Sequence, residues 1–512
     1  MKSCKGFVLI MGLLAADGCA SQEGTAAPEE GTATTQQSVT LNDRIAQCSA
    51  DPRVTAGIVN VDTCVGADLF LRETFNGNGR SCATCHPVAH NFTIDPTFIS
   101  QLPSTDPLFV AQNNPALAHL EVPAMMRQFG LILENVDGFA PDPTTHFVLR
   151  SVPHTLSLAT SITNPPNSAN PPANRTGWSG DGAPGSGALR DFQTGAITQH
   201  YTKSLSRVAG TDFRLAESGE LDRIDHFMRQ LGRLNELDLT TVVMTDAGAD
   251  AGRQTFLTVG CNGCHGNAGA NASFGGGGNR SFNTGVEAAR NSALAAFPHD
   301  GGFGTTAQAD GSFGDGTFNV PPLIEAADTG PFFHTAVTVS GSENHDTDFA
   351  QTIEQAIAFY DTPAFNNSPA GQAVPINLES DDIDNVGRFL RGLNASFNIA
   401  LASRRIEAVG VLRDAFPGIL DVENQLMNLA VVEAQDAVRV LSAVPSLDLT
   451  AQSALNHFIQ VATNKFGGKN TGTTTDGGPT NSLDVLRSDL ATAASAIGTH
   501  MTFQIGDGVL MF

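Results

Sequence analysis

The motif Cys-x-x-Cys-His occurs twice in this chain, as "CATCH" at residues 82–86 and as "CNGCH" at residues 261–265. Two cysteines at this spacing, followed at once by histidine, are the pattern that attaches c-type haem. Each cysteine pair can form two thioethers to a porphyrin, and the histidine gives the iron a neutral imidazole. The candidate residues are Cys82, Cys85 and His86 for one haem, and Cys261, Cys264 and His265 for the other.

Two other kinds of site use paired cysteines, namely a redox dithiol and half of a zinc site. A zinc site would need a second pair of ligands, and none is evident near either motif. A dithiol of the thioredoxin type lies in a βαβ pattern and does not require the trailing histidine. The two motifs therefore predict two covalently bound haem c groups, each with its iron.

The N-terminal residues have the pattern of an export signal. Lys2 and Lys5 precede a short apolar run, and small residues surround Cys19. The run is too short to span a bilayer, so residues 1–18 are interpreted as a signal peptide and Cys19 as a candidate for lipid modification. Residues 19–41 would form a flexible tether. The expected location is the periplasm or the cell surface, with a lipid anchor to the outer membrane as the sole membrane contact.

The net charge of the chain limits the classes of partner that it can bind. Lysine and arginine number 28 against 52 aspartates and glutamates, which gives a net charge of −24. Such acidity argues against nucleic acid and against docking on anionic lipid. It suits a small, basic electron-transfer protein, although a solvated acidic surface is a plainer explanation. In an oxidising compartment Cys48 and Cys64 are free to form a disulfide.

Apolar periodicity predicts a mainly α fold with long loops. Residues 217–237 and 380–394 each place apolar side chains on one helical face, with Ser218 as a candidate cap for the first helix. No strand pattern of similar length occurs. The predicted domains are an N-terminal haem c domain at 42–236, a C-terminal haem c domain at 237–396 and a helical appendage at 397–512.

The sequence around both motifs resembles the bacterial di-haem cytochrome c peroxidase superfamily, which includes MauG and the secreted rubber oxygenases. The resemblance covers roughly residues 60–396. It rests on "LFLRETFNGNGRSCATCHP", "LRSVPHTLSL", "GWSGDGAPGSGALRDFQTGAITQHY", "GCNGCHG", "FNVPPLIEAADTGPFFHTAVTV" and "TIEQAIAFY". It implies two cytochrome-c-like domains with one haem each. One haem would react, and the other would store or relay electrons.

In this superfamily the second haem takes a distal ligand from the end of the helix that follows the "PFFH" block. The peroxidases have Met at that position and MauG has Tyr; this chain has Tyr360, one of only two tyrosines. The resemblance thus implies that Tyr360 binds the iron, as a phenolate that favours the ferric state. Tyr360 could instead be the last core residue of an amphipathic helix. Rival ligands are His334, Met427 and His500.

The resemblance also implies an open distal face at the haem on His86. Peroxidases of the superfamily place a Gln there, and this chain has Phe192 at that position with Gln193 beside it. Their Glu position falls near Thr202, and no carboxylate lies between residues 191 and 212. The polar candidates left for acid–base work are Gln199 and His200.

This departure favours dioxygen or an apolar organic substrate over efficient cleavage of peroxide. The alternative for His200 is that of a core or surface histidine. Trp178, the only tryptophan, matches the superfamily's electron relay between the haems, or is a large core residue. Calcium, which the superfamily binds through an Asn, is doubtful because this chain has "RSVP" at 150–153.

The sequence therefore predicts an exported di-haem oxidoreductase that activates peroxide or dioxygen at the N-terminal haem. Electrons would reach that haem from the C-terminal one through Trp178. The alternatives are a plain electron-transfer cytochrome and a binding lipoprotein whose activity lies in residues 397–512.

Overall fold

Helices dominate the computed structural model, which describes residues 39–136, 147–164, 172–182, 186–274, 276–304, 314–342, 344–466 and 482–512. The helices before residue 240 are α1 (Leu41–Ser49), α2 (Pro52–Thr55), α3 (Val61–Arg72), α4 (Cys82–Cys85), α5 (Pro96–Gln101), α6 (Val110–Asn113), α7 (Pro123–Phe129), α8 (Leu158–Ser161), α9 (Leu189–His200) and α10 (Ser218–Arg229). Those that follow are α11 (Ala247–Thr258), α12 (Cys261–Cys264), α13 (Ile353–Phe359), α14 (Pro363–Asn366), α15 (Pro369–Ala373), α16 (Ser380–Ala415), α17 (Leu420–Ser442), α18 (Leu449–Phe466) and α19 (Ser482–Ile497). The mainly α fold class is confirmed.

Strands are short and form three two-stranded antiparallel sheets in the described chain. They pair β1 (Leu131–Glu134) with β2 (Val148–Ser151), β3 (Val243–Met244) with β6 (Gly498–Thr499), and β4 (Ser281–Phe282) with β5 (Phe318–Asn319). Short 3-10 helices lie at Val88–His90, Pro107–Phe109, Pro115–Leu117, Gly266–Ala268, Val286–Ala289, Ser292–Leu294, Ala326–Asp328 and Asp507–Leu510.

The same local arrangement precedes each cysteine motif. A 12-residue helix, α3 or α11, leads after a loop to a single helical turn, α4 or α12, which holds the two cysteines. The leading helix packs on a later one, α3 on α10 and α11 on α16. A disulfide joins Cys48 of α1 to Cys64 of α3, as predicted.

Helix α16 is 36 residues long and extends well beyond the helix predicted at 380–394. Its N-terminus has a capping box in which Glu379 and Asp382 each bind the other's backbone N–H. The predicted domain boundary between residues 396 and 397 lies inside this helix, because buried apolar positions recur along it as far as Leu412. Residues 41–512 form one compact unit.

The helix predicted at 217–237 is shorter than expected and occupies residues 218–229 as α10. Glu217 rather than Ser218 is its cap, in a capping box with Glu220. The chain leaves the helix before Gly232, whose φ of +82° favours glycine, and a Cβ there would lie 2.9 Å from Ser157 Oγ. Leu231 is nevertheless fully buried.

The final residues return to the elements near the start of the unit. Arg53 Nη1 donates to Leu510 O at 2.9 Å, and Arg405 Nε of α16 donates to Val509 O at 3.1 Å. No helix in the described part of the chain combines the length and apolarity needed to cross a membrane.

Candidate functional site

The first cysteine turn holds its histidine in one orientation. His86 Nδ1 lies 2.9 Å from the carbonyl oxygen of Phe92. Because a carbonyl can only accept, Nδ1 carries the proton and the lone pair lies on Nε2. Burial lowers the pKa of His86 to about 4, so the imidazole is neutral at pH 7. This is the tautomer and charge state that binds a metal.

The second cysteine turn repeats this arrangement with a different partner. His265 Nδ1 lies 3.1 Å from the carbonyl oxygen of Pro321, and burial lowers the pKa of His265 to about 4. Each histidine therefore has a neutral ring held by a backbone carbonyl, and the His265 ring also forms a hydrogen bond with the backbone of Gly269. The two carbonyls that fix the histidine rings come from different places in the chain. Phe92 is six residues after His86, whereas Pro321 is 56 residues after His265.

The four motif cysteines are free thiols with little tendency to ionise. Burial raises the pKa of Cys82 to about 11 and those of Cys85 and Cys261 to about 12. A reactive redox dithiol has a lowered thiol pKa, so these environments do not favour that alternative. Within the described ranges, no three or more His, Cys, Asp or Glu side chains gather in a way that could hold a metal ion.

A large cavity opens beside the first cysteine turn, with about 1800 Å³ of space, part of it continuous with solvent. The sequence-predicted residues that line it are Cys82, Cys85, His86, Trp178, Phe192, Gln193 and His200. Its wall is otherwise largely apolar. The structure thus brings these seven residues together around one cavity, although they lie in or beside α4, in α9 and in the loop at 172–182.

Six polar atoms on the cavity's lining residues are buried and make no hydrogen bond to a described residue. They are Gln193 Oε1, His154 Nδ1, Thr155 Oγ1, His200 Nδ1, Arg175 Nε and Asn319 Oδ1. Gln193 itself is held by Nε2, which lies 3.3 Å from Met228 Sδ. Buried polar atoms without partners are uncommon in proteins and indicate a bound group or water.

His200 belongs to a buried charged cluster on one side of the cavity. Its Nδ1 lies 3.7 Å from Glu121 Oε1, and Glu121 forms an ion pair with Arg80 at 2.8 Å. Both members of that pair are 1% exposed. Burial opposes ionisation, yet Arg80 and His200 hold the pKa of Glu121 below its usual value.

Glu134 is a cavity carboxylate that the sequence reasoning missed. It lies at the end of β1, and Arg150 of β2 donates to Glu134 Oε2 at 3.0 Å. Arg150 is also bound to Asp300, at 2.5 and 2.8 Å. The sequence search for a carboxylate followed the segment after Trp178, whereas the hairpin brings one from residue 134. In the sequence, this pairing is indicated by the opposite charges of Glu134 and Arg150, each of which lies in a short apolar segment.

Gln199, a predicted acid–base candidate, does not line the cavity. Its Nε2 donates to Leu133 O at 2.7 Å, and its Oε1 accepts from Asn135 N at 3.2 Å. Gln199 is buried and makes both of these bonds to backbone atoms at the end of β1. It therefore positions the strand that carries Glu134.

Trp178 connects the cavity to its surroundings through its backbone and its ring. Its indole Nε1–H donates to Ser151 O at 2.8 Å, and its own carbonyl accepts from Asn319 N at 2.7 Å. Asn319 is two residues before Pro321, whose carbonyl binds His265. A short segment thus touches both the tryptophan and the second histidine.

Tyr360 lies close to the second cysteine turn. It ends α13, and its ring packs 5.0 Å from that of Phe365 and 5.4 Å from that of Phe359. Burial, with the nearby Cys264 and Cys261, raises the pKa of the phenol. Its hydroxyl makes no hydrogen bond to a described residue, so a phenolate there would need a cation beside it.

The rival ligands for the second iron have other surroundings. His334 Nε2 lies 2.9 Å from Glu287 Oε1, Met427 is buried in the core along α17, and His500 is exposed. The other tyrosine of the chain, Tyr201, lies at the first motif, where its hydroxyl is 3.1 Å from Cys82 Sγ.

Comparison with protein-family models, with curated proteins and with solved structures gives no significant match for this chain.

Proposed function

We propose that this protein is an exported di-haem c-type oxidoreductase, related to the di-haem cytochrome c peroxidases, that activates peroxide or dioxygen at its N-terminal haem. The observation that carries the proposal is the pair of Cys-x-x-Cys-His turns whose histidines are neutral and fixed through Nδ1. Cys82, Cys85 and His86 would hold the reactive haem, and Cys261, Cys264 and His265 the second one. The iron would supply the redox chemistry when bound.

The residues around the first cavity fit such a group. Its wall is large and mostly apolar, as a porphyrin requires, and its unpaired polar atoms offer hydrogen bonds to a bound molecule. Phe92 O orients His86 toward the metal through the opposite nitrogen. The apolar lining does not distinguish a peroxidase from an oxygenase, because the porphyrin itself needs such a wall.

Proton transfer is the task for which the chain offers two candidates in this cavity. His200 Nδ1 lies 3.7 Å from Glu121 Oε1, and Glu134 is a carboxylate held by Arg150. Either can accept a proton from a bound peroxide and return it to the departing oxygen. Phe192 excludes water from the same space. Because these carboxylates can assist proton transfer, they favour peroxide as the oxidant. The sequence alone favours dioxygen.

Trp178 is suited to pass single electrons rather than protons. Its indole N–H is bound to a backbone carbonyl, which cannot take up the proton. The indole therefore keeps its proton when it loses an electron, and the electron can return without rearrangement. The contact with Asn319, two residues from Pro321, supports a route toward the haem at His265, which would store or supply the electron.

The second candidate is a plain electron-transfer cytochrome in which both irons have six ligands. The absorption spectrum of the ferric protein separates the two. A high-spin component that shifts when hydrogen peroxide is added supports the proposed enzyme. Two low-spin haems that ignore peroxide and dioxygen would favour the carrier. Polyisoprene, added with dioxygen, tests an apolar substrate in the same experiment.

A further inference from the structure

A second pocket is lined by Phe318, whose ring stacks on His334, a neighbour of Trp178. It has about 1150 Å³ of space, open to solvent, and its lining includes Glu287, His299, Asp300, Asp315 and Phe318. None of the described residues that line it is lysine or arginine. The pocket thus combines an aromatic ring, a histidine and three carboxylates, of which Asp300 is paired with Arg150 and Glu287 with Arg290.

A continuous chain of contacts joins this pocket to Trp178. The ring of His334 lies 6.3 Å from that of Trp178 and stacks on Phe318 at 3.6 Å, with the two planes 8° apart. On its other side, His334 Nε2 is 2.9 Å from Glu287 Oε1, and Glu287 Oε2 is 2.9 Å from His299 Nδ1. His334 is 2% exposed, whereas His299 is 52% exposed.

We propose that this pocket binds a small neutral phenol and that the phenol is oxidised there at a distance from the haem. The proposal rests on the proposed function, which supplies the oxidant. Phe318, His334 and Trp178 form an aromatic path for the electron. His299 and Glu287 form a hydrogen-bonded pair at the pocket that takes the proton of the phenol O–H. The carboxylates disfavour an anionic substrate.

The step balances with hydrogen peroxide as the oxidant. Each phenol breaks its O–H bond, gives the proton to the His299–Glu287 pair and gives one electron to the path through Trp178. It leaves as a phenoxyl radical. Two phenols supply the two electrons and two protons that reduce one hydrogen peroxide to two waters at the cavity.

Binding is measured first, with the full-length haem-loaded protein and no oxidant, by isothermal titration of 4-methoxyphenol. We expect His299→Ala to weaken binding roughly threefold to tenfold, because a hydrogen bond to the phenol is lost. His299→Gln, which can still form that bond, should bind normally. The anion 4-hydroxybenzoate should bind at least about tenfold more weakly than 4-methoxyphenol.

His457 provides a matched control. Its Nδ1 is 2.8 Å from Asp489, and it is 55% exposed, so it repeats the His299–Glu287 pair on α18 and α19. His457→Ala should leave binding unchanged. Equal affinity of the wild type and His299→Ala for 4-methoxyphenol would overturn the site.

Oxidation is measured next, as kcat/KM for 4-methoxyphenol with hydrogen peroxide. Both His299→Ala and His299→Gln should fall by roughly 10²-fold, because neither can accept the proton. Trp178→Phe should bind 4-methoxyphenol with the wild-type affinity but should no longer oxidise it. An unchanged rate in Trp178→Phe would show that the phenol reacts inside the cavity, which overturns the route.

The failure of the proposed function has a different signature. If hydrogen peroxide does not react with the wild-type protein, phenol oxidation is absent in every variant and the oxidation route fails with it. If peroxide is consumed by the wild type but the His299 variants oxidise phenol at the wild-type rate, the phenol site alone is wrong.

Discussion

At both Cys-x-x-Cys-His turns a neutral histidine is bound through Nδ1 to a backbone carbonyl, but the surroundings of the two turns differ. The first turn faces a cavity of about 1800 Å³ whose lining includes His200 and Glu134. The second lies near Tyr360, which is surrounded by Phe333, Phe359 and Phe365. The same motif is therefore placed in two different environments, and under the proposed function the first would be an open reaction space and the second a closed electron store.

Removing one attachment motif at a time gives the largest expected effect. Cys82→Ser with Cys85→Ser should remove one haem per chain and abolish the peroxide reaction, whereas Cys261→Ser with Cys264→Ser should remove the other haem. Haem content by pyridine haemochrome and protein mass measures this. In the wild type, both haems should stay on the protein through acid–acetone extraction, since thioethers survive unfolding. Haem found in the solvent phase would contradict covalent attachment.

The proton acceptors of the first site come next. Glu134→Gln keeps the size of the side chain and removes the base, so the rate of the peroxide reaction should fall by roughly 10²-fold if Glu134 takes the proton. His200→Gln is the parallel variant for the histidine. Gln199→Ala would loosen β1 and is unsuitable as a control. Stopped-flow absorbance at several peroxide concentrations measures the rate, and wild-type rates in both variants would leave this cavity without an identified base.

Phe192 tests whether the first site is tuned for dioxygen. Phe192→Gln adds a polar group where the peroxidases that the sequence resembles have one, and we expect faster reaction with peroxide and less oxygenase activity. Fast peroxide turnover by the wild type, without this change, would place the protein with the peroxidases. In that case Gln193, Glu134 or His200 already performs the task.

Tyr360 tests the second site in the same way. Tyr360→Phe should convert one low-spin haem to high spin and raise its reduction potential, because the phenolate ligand is lost. Tyr201→Phe is the matched control, since it removes the other tyrosine hydroxyl, at Cys82, and leaves the second site intact. Ferric absorption and EPR spectra separate them. An unaltered spectrum in Tyr360→Phe would make Tyr360 a core residue.

The smallest expected effect concerns a pair of buried carboxylates between the first motif's loop and α17. Burial and the like charge of Asp328 raise the pKa of Asp436 to about 7, and burial raises that of Asp328 to about 6. Asn91, five residues after His86, binds Asp436 and donates to Asp328 O at 3.3 Å. Both groups bind protons more tightly in the folded state, so they destabilise the protein as pH rises from about 4 to about 7.

Asp436→Asn should therefore raise the free energy of unfolding by about 1–2 kcal/mol at pH 8 and by little at pH 4. Asp421→Asn, at an exposed position of the same helix, should have no such pH dependence. Denaturant unfolding at the two pH values measures both. An equal effect of Asp436→Asn at pH 4 and pH 8 would show that the two carboxylates do not share this interaction.

Site residues that lie in short, recognisable blocks of the sequence could be predicted. Those whose position depends on contacts between distant segments could not. The cysteine motifs, Trp178, Phe192, Gln193 and His200 are recognisable in short blocks, and the structure gathers them around one cavity. Glu134 was missed because the pairing of β1 with β2 determines its position. No local pattern records that pairing.

At the predicted domain boundary, a local change in the sequence was misleading. A change of composition after Asn394 indicated a separate appendage, but apolar spacing continues through it and the helix does not end there. Composition reports which residues are present, whereas the period of burial determines where a helix stops. For α16, the spacing of apolar residues indicates the extent of the helix better than the composition does.

The return of the C-terminus to the start of the unit has a consequence for how the protein is made. Met244, which pairs with Gly498, and Arg53, which binds Leu510, acquire these partners only after the last residues have been synthesised. In the folded state burial raises the pKa of all four motif thiols, so few of them would then be in the reactive thiolate form. Synthesis of the final fifteen or so residues therefore delays closure of the fold, and the two attachment motifs remain accessible during that interval.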